Sequence, residues 1–139
     1  MRAVSLSLLL AAFTAWPAFA EPCKGAEAQL SQVSKALTVN ALDIAENALR
    51  ALSVSYPDCP EIVLHQARLA QAKGRISEAA GLYYRYTDTN PGDSRGLAYF
   101  GRFFLEQRDY MKADALSAAA RSEERRVGKE CRSRWSPYH

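Results

Sequence analysis

Few side chains in this sequence could perform catalysis. Residues 21–120 contain one histidine, His65, and two cysteines, and no Ser/His/Asp or Cys/His pairing can be assembled from them. Two distant cysteines and one histidine do not have the spacing of a zinc site, and there is no glycine-rich phosphate loop. Glu106 and Asp109 are close in sequence, but their placement is more typical of solvated residues at a helix turn than of paired catalytic acids. The sequence therefore predicts no enzymatic activity, no metal and no cofactor.

Residues 1–20 are predicted to be an export signal. A positively charged start is followed by an apolar run, Pro17 interrupts any helix, and Ala18-Phe19-Ala20 has the small-x-small pattern of a cleavage site. The apolar run is too short to span a bilayer as a mature helix, and Cys23 does not directly follow the cleavage site as lipidation would require. We expect a periplasmic or secreted protein with no membrane insertion after cleavage. The alternative is an uncleaved N-terminal anchor.

Residues 121–139 differ from everything upstream. They begin Arg-Ser-Glu-Glu and resemble the in-frame translation of a common sequencing adapter, whose first codons are AGA TCG GAA GAG. We therefore expect an artefactual tail outside the fold, with the natural sequence truncated after Ala120. Its composition predicts that it extends the last helix as far as Gly128. The alternative is a natural basic tail that binds nucleic acid or anionic lipid.

The charge balance of the chain depends on this tail. The tail contains six Lys or Arg and three Glu, a net charge of +3 that equals the formal net charge of the whole chain, so residues 1–120 are neutral. Removal of Arg2 with the export signal leaves residues 21–120 at −1. A domain so close to neutral gives no electrostatic reason to expect a nucleic acid partner.

Two cysteines, Cys23 and Cys59, remain between the export signal and the tail. An even number of cysteines in an exported chain suggests a disulfide, because the compartment is oxidising, and both residues precede a predicted helix. Closing this loop would stabilise the fold by about 3–4 kcal/mol. The alternative is a pair of free thiols.

A 34-residue period runs through the central sequence. Shifting the chain by 34 residues aligns three units without a gap, 26–59, 60–93 and 94–120, and each unit has two stretches of helical apolar spacing. The coinciding columns are Val33/Ala67/Gly101, Asn40/Gly74/Arg108, Ala45/Ala79/Ala113 and Pro57/Pro91. Asn and Gly in the second of these columns suit the left-handed residue that ends a helix. No strand alternation is present, so the pattern predicts an all-α fold.

This period and these columns resemble the tetratricopeptide repeat (TPR) family. The resemblance covers about residues 26–120 and implies a right-handed α-solenoid of about three helix-turn-helix units, with a concave face lined by the first helix of each unit. The first unit is more polar, as expected of an end cap. Truncation is expected to leave the apolar face of Ala113, Leu116 and Ala120 under-covered.

In this family a face of first-helix residues binds extended peptides. Carried over by position, the resemblance selects His65, Arg68, Gln71, Arg95, Tyr99 and Arg102. Arginine can bind a carboxylate through two donors, and tyrosine adds a rigid aromatic contact. The hypothesis is a groove for an acidic or C-terminal carboxylate segment of a peptide; the alternative is a set of solvated charges on an exposed helix face. The family's carboxylate-clamp subtype has Asn where Ser31, His65 and Tyr99 stand, so we do not expect that subtype.

Three tyrosines could also suggest a ligand platform. The helical spacing of Tyr83 and Tyr86 favours a role in the core between helices, and Tyr84 is expected at the surface.

The first functional hypothesis is an exported TPR scaffold that mediates protein–protein interactions in the cell envelope and binds a peptide or protein partner on its concave face. The alternative is the N-terminal module of a longer envelope-biogenesis factor or enzyme that is truncated at the tail. The sequence does not identify the partner.

Overall fold

The computed structural model describes the backbone of residues 21–134 and the side chains of residues 21–130. The predicted export signal and the last five residues lie outside this part. The described residues form six α-helices and no strand, which confirms the all-α prediction. The helices are α1 Glu27–Thr38, α2 Leu42–Ser55, α3 Pro60–Ala72, α4 Ile76–Thr89, α5 Ser94–Glu106 and α6 Tyr110–Arg134. None of them is both long enough and apolar enough to cross a bilayer.

The three odd-numbered helices end in the same way. Each is followed by a residue with positive φ: Asn40 at 59°, Gly74 at 74° and Arg108 at 61°. The N–H of the next residue donates back to a helix carbonyl at 2.8 to 2.9 Å in all three cases. This pattern satisfies carbonyls that a helix end leaves without partners. The predicted turn column is therefore confirmed, and Arg108 adopts the left-handed conformation although its Cβ disfavours it.

Small residues lie where the two helices of a unit meet. Ala45 and Ala79 are completely buried, and Ala113 is 6% exposed. At Gly101 an added Cβ would lie 3.4 Å from the Ala113 carbonyl oxygen and from Leu116 Cβ. The small side chains let α1 pack on α2, α3 on α4 and α5 on α6 at close range.

A disulfide joins Cys23 to Cys59, with an S–S distance of 2.04 Å and a Cα–Cα distance of 4.8 Å. This confirms the predicted bridge. Cys59 is the N-cap residue of α3, so the bond fixes the segment before α1 to the start of α3. It belongs to a hydrophobic cluster with residues of α1, α2 and α3 that include Leu30, Val33 and Leu49.

The second cluster is aromatic and joins α3, α4, α5 and α6. The Tyr83 ring stacks on Phe100 with 5.3 Å between centroids. Tyr83 and Tyr86 are 0% and 2% exposed, whereas Tyr84 is 53% exposed, as the spacing predicted. Tyr84 still packs edge-on against Phe100, with 4.7 Å between centroids.

Helix α6 continues beyond its expected end. The extension past Ala120 is confirmed, but the expected end at Gly128 is wrong, because the helix runs to Arg134. Arg126 pairs with Glu123 at 2.9 Å and with Glu130 at 2.8 Å along the helix surface. Such pairs, together with the good helix propensity of Arg, Lys and Glu, offset the cost of about 1 kcal/mol for an internal glycine.

The apolar side of α6 is better covered than expected. Ala113 and Ala120 are each 6% exposed, and Leu116 packs against the aromatic cluster. The expectation that this face is under-covered is wrong for the two alanines, because α6 packs against α5. The exposed large apolar residues in the described part of this helix are instead Tyr110 at 63%, Met111 at 87% and Val127 at 47%.

Candidate functional site

The first helices of the three units lie side by side, since α3 contacts both α1 and α5. Along them run two adjoining cavities, of about 440 Å³ and about 320 Å³. Arg68 and Tyr99 line both cavities and therefore lie where they meet. We term the two cavities together the α1–α3–α5 groove.

The five residues of the predicted peptide site are all found in this groove. The larger cavity is lined by His65, Arg68, Arg95 and Tyr99, and the smaller one by Arg68, Tyr99 and Arg102. The structure thus brings together residues from two helices that the sequence separates by up to 37 positions. It also shows that Arg95 and Arg102 each pair with a carboxylate, whereas Arg68 contacts neutral groups.

Arg68 is held by neutral partners. Its Nη1 donates to Ser34 Oγ at 3.2 Å and lies 3.2 Å from His65 Nδ1. Its Cζ lies 4.5 Å from the centroid of the Tyr99 ring, which is within the range of a cation–π contact. Among the described residues Arg68 makes no ion pair, so its positive charge has no carboxylate beside it.

His65 is neutral at neutral pH. It is 7% exposed, and burial, helped by the positive charge of Arg68, lowers the pKa of its imidazole to about 4. A guanidinium can only donate hydrogen bonds, so His65 Nδ1 must act as the acceptor and the ring proton must lie on Nε2. Neutral His65 therefore orients Arg68 without competing with it for an anion.

Arg95 has carboxylate partners on two sides. Its Nη2 lies 3.0 Å from Glu61 Oε1 and 3.4 Å from Asp93 Oδ2. The hydrogen bond to Glu61, reinforced by Asp93, raises the pKa of the Arg95 guanidinium. Asp93 also accepts the Arg95 backbone N–H at 2.9 Å as the N-cap of α5. The charge of Arg95 is thus neutralised within the fold.

Arg102 is neutralised in a similar way. Its Nε lies 3.4 Å from Glu106 Oε1, one turn further along α5. The other oxygen of Glu106 accepts a hydrogen bond from Gln71 Nε2 at 2.6 Å, and Gln71 Oε1 accepts from the Tyr83 hydroxyl at 2.7 Å. Gln71, which the resemblance also selected, is therefore occupied by contacts within the fold.

The peptide site predicted from the sequence did not include the acidic residues of the groove. Glu27 and Glu61 line the larger cavity, and Glu106 lines the smaller one. The 34-residue period could have revealed two of the contacts in the groove. Glu61 and Arg95 are 34 residues apart, as are Ser34 and Arg68, and both pairs are in contact.

A third cavity, of about 480 Å³, lies between α2, α3 and α4. Its apolar lining includes Leu49, Leu69 and Leu82. Three of its charged lining residues have ion-pair partners: Glu46 binds Lys73 and lies 3.8 Å from Arg75, and Arg75 lies 3.5 Å from Glu78. No residue of the predicted peptide site lines this cavity.

Within the described side chains, no group of three or more His, Cys, Asp or Glu residues is arranged to hold a metal ion. Comparison with known proteins gives no match: no family model, no curated protein and no solved structure is significantly similar to this chain.

Proposed function

We propose that this protein is an exported helical scaffold of the TPR type, which binds an extended segment of a partner protein along the α1–α3–α5 groove. In this proposal the three helix pairs form a right-handed solenoid, residues 1–20 direct the chain to the periplasm or the exterior, and the protein acts through binding and not through catalysis.

The observation that carries the proposal is the arrangement of the groove. Three successive first helices contribute side chains to one continuous surface, and residues at equivalent places in neighbouring units contact each other there. Arg68 and Tyr99, at its centre, offer a cation and an aromatic ring. Such a surface suits an extended polypeptide better than a compact ligand, because it runs across several helices.

The proposal also accounts for the disulfide. The Cys23–Cys59 bond fits a chain that folds in an oxidising compartment. Fractionation of cells that produce the protein is expected to recover it, shortened at its N-terminus, with the envelope or secreted fraction. A full-length chain found only in the cytosol would contradict this part of the proposal.

Site-specific photo-crosslinking tests the binding surface. A photoreactive amino acid is placed at Ser31, which lines the groove, and in a separate variant at Ile44, which is 67% exposed on α2. In cells of the source organism we expect a defined crosslinked partner from Ser31 and a much lower yield of the same product from Ile44. Equal yields at both positions, or no product at Ser31, would count against the groove as the binding surface.

A second candidate function is that of an N-terminal module in a longer envelope-biogenesis factor or enzyme. The observation that favours it is the resemblance of residues 121–139 to a translated sequencing adapter. Resequencing the locus tests it. A coding sequence that continues from Ala120 into a further globular domain supports this candidate, whereas a stop codon after one more helix supports the scaffold.

A further inference from the structure

We infer that the α1–α3–α5 groove recognises a peptide segment with one carboxylate flanked by neutral or basic residues, and that Arg68 anchors this carboxylate. The inference rests on the proposed peptide-binding function and narrows it. The acidic-peptide hypothesis treated three arginines as equivalent, whereas the structure leaves only one of them without a carboxylate.

Arg68 keeps a set of hydrogen-bond donors available for a ligand. Both of its hydrogen-bond contacts, to Ser34 and His65, involve Nη1. Among the described residues, Nε and Nη2 have no hydrogen-bond partner, so one edge of the guanidinium keeps two N–H groups that point in parallel. A carboxylate matches this edge with two oxygens, which gives a pair of charge-assisted hydrogen bonds.

Arg68 is already oriented by the residues around it. Arg68 Cζ lies over the Tyr99 ring at 4.5 Å from its centroid, and Ser34 and His65 hold Nη1. The side chain is half-buried. An arginine fixed in this way loses little conformational entropy when it binds, and partial exclusion of water strengthens its attraction for an anion.

The groove also contains acidic residues near Arg68. Glu61 and Glu106 already neutralise Arg95 and Arg102. Glu27 faces the larger cavity, accepts the Gly25 N–H at 2.8 Å and makes no ion pair with any described residue. A second negative charge on the ligand would therefore meet the Glu27 carboxylate in the larger cavity, and neither Arg95 nor Arg102 is free of a carboxylate to receive it. A single carboxylate with neutral or basic neighbours meets no such repulsion.

Selection from a random peptide library tests the inference. The library is selected on the whole chain and in parallel on Arg68→Gln, with Arg85→Gln, an exposed arginine outside the groove, as the control for the loss of one positive charge. We expect peptides selected on the wild-type chain and on Arg85→Gln to be enriched in one Asp, Glu or free C-terminus, and to be poor in acidic runs. This enrichment should disappear with Arg68→Gln.

Affinities of a selected peptide give the quantitative test. Replacing its Glu by Gln, or Arg68 by Gln, should weaken binding about tenfold or more, as expected for loss of a bidentate ion pair. Arg68→Lys should recover part of the loss, because it restores the charge but not the two-donor edge. Arg95→Gln and Arg102→Gln should have smaller effects than Arg68→Gln. Amidating the C-terminus of the peptide distinguishes a terminal carboxylate from a side-chain carboxylate.

The outcomes separate the inference from the function on which it rests. If peptides bind and Tyr99→Ala weakens them, but neither Glu→Gln in the peptide nor Arg68→Gln matters, the single-carboxylate inference is wrong and the peptide-binding groove remains. Tighter binding of acidic runs would also overturn the inference. If no peptide is selected, both are overturned. The substitution in the peptide needs no protein variant, so it stays decisive even if Arg68→Gln unfolds the chain.

Discussion

Arg95 Nη2 lies 3.0 Å from Glu61 Oε1, and the two residues occupy the same position in successive 34-residue units. Ser34 and Arg68 form a second contact of this kind, at 3.2 Å. These two contacts between odd-numbered helices follow the columns of the repeat, whereas the Gln71–Glu106 contact joins residues that are 35 positions apart. The charge that a groove residue presents to a ligand is therefore decided by the residue one unit away as much as by its neighbours along the helix.

Gly96 is required by the ring of Tyr86. A Cβ at position 96 would lie 2.4 Å from Tyr86 Cε1 and 2.7 Å from Cδ1. The ring cannot easily move, because it is 2% exposed and its hydroxyl donates to Asp93. We expect Gly96→Ala to lower the free energy of unfolding by about 1–3 kcal/mol in urea titrations.

Gly81 provides the matched control for this substitution. It lies inside α4, and an added Cβ there meets nothing within 4 Å. Gly81→Ala should raise the free energy of unfolding by about 0.5–1 kcal/mol, because alanine is the better helix former. A Gly96→Ala variant as stable as wild type would show that Tyr86 can move aside.

Replacing Arg108 by glycine should stabilise the fold. Its φ of 61° is unfavourable for a residue with a Cβ, and the equivalent position in the preceding unit is Gly74. We expect Arg108→Gly to raise the free energy of unfolding by about 0.5–1 kcal/mol. Arg108→Ala removes the same charge but keeps a Cβ, so it should not give this gain. Equal stability of the two variants would contradict the backbone explanation.

Loss of the Cys23–Cys59 bond should be costly. The two residues are 36 positions apart, and a closed loop of this size stabilises by about 3–4 kcal/mol on the chain-entropy model. The double variant Cys23→Ser/Cys59→Ser should show this loss in denaturant titrations. A reducing agent should destabilise the wild-type chain by a similar amount and leave the double variant unchanged. A reductant effect on both proteins would point to a different cause.

His65 should make the fold sensitive to mild acid. Its pKa is about 4 in the folded state and about 6.5 in the unfolded chain, so the unfolded state binds the proton first as the pH falls. Stability should be unaffected above pH 6.5 and should decrease by about 2 kcal/mol between there and pH 4.5. The charged groups that act on the ring are Arg68, Glu61 and Arg95.

The variant His65→Gln isolates the contribution of His65 to the pH dependence of stability. Glutamine does not titrate, and its amide oxygen can still accept from Arg68. The difference in unfolding free energy between wild type and this variant should therefore change with pH below 6.5, while contributions from the carboxylates cancel. Parallel pH profiles for the two proteins would show that His65 is not the group responsible.

Much of the local structure could be predicted from the sequence because it depends on local rules. The helix-ending positions followed from Asn40 and Gly74, whose residue types tolerate positive φ, and the repeat carried the prediction to Arg108. The burial of Tyr83 and Tyr86 followed from helical spacing. The bridge between Cys23 and Cys59 followed from their number and the predicted compartment.

Which arginines of the groove pair with carboxylates could not be predicted in the same way. The resemblance to the repeat family, carried over by position, predicted that Arg68, Arg95 and Arg102 share one surface, but their pairing depends on side-chain geometry across helices. The end of α6 was missed for a related reason. Gly128 is a helix breaker by propensity, yet flanking helix-forming residues and the Arg126–Glu130 pair outweigh that preference.

The disulfide has a consequence for the order in which the helices come apart. In the solenoid proposed above, the two end pairs should lose their packing most easily, since each has one neighbour. The Cys23–Cys59 bond encloses the first pair, α1 and α2, in a covalent loop anchored at the start of α3. This pair cannot drift away from its neighbour even when its packing is lost. Fraying should therefore begin at the α6 end and travel toward the N-terminus, so the chain disassembles in one direction.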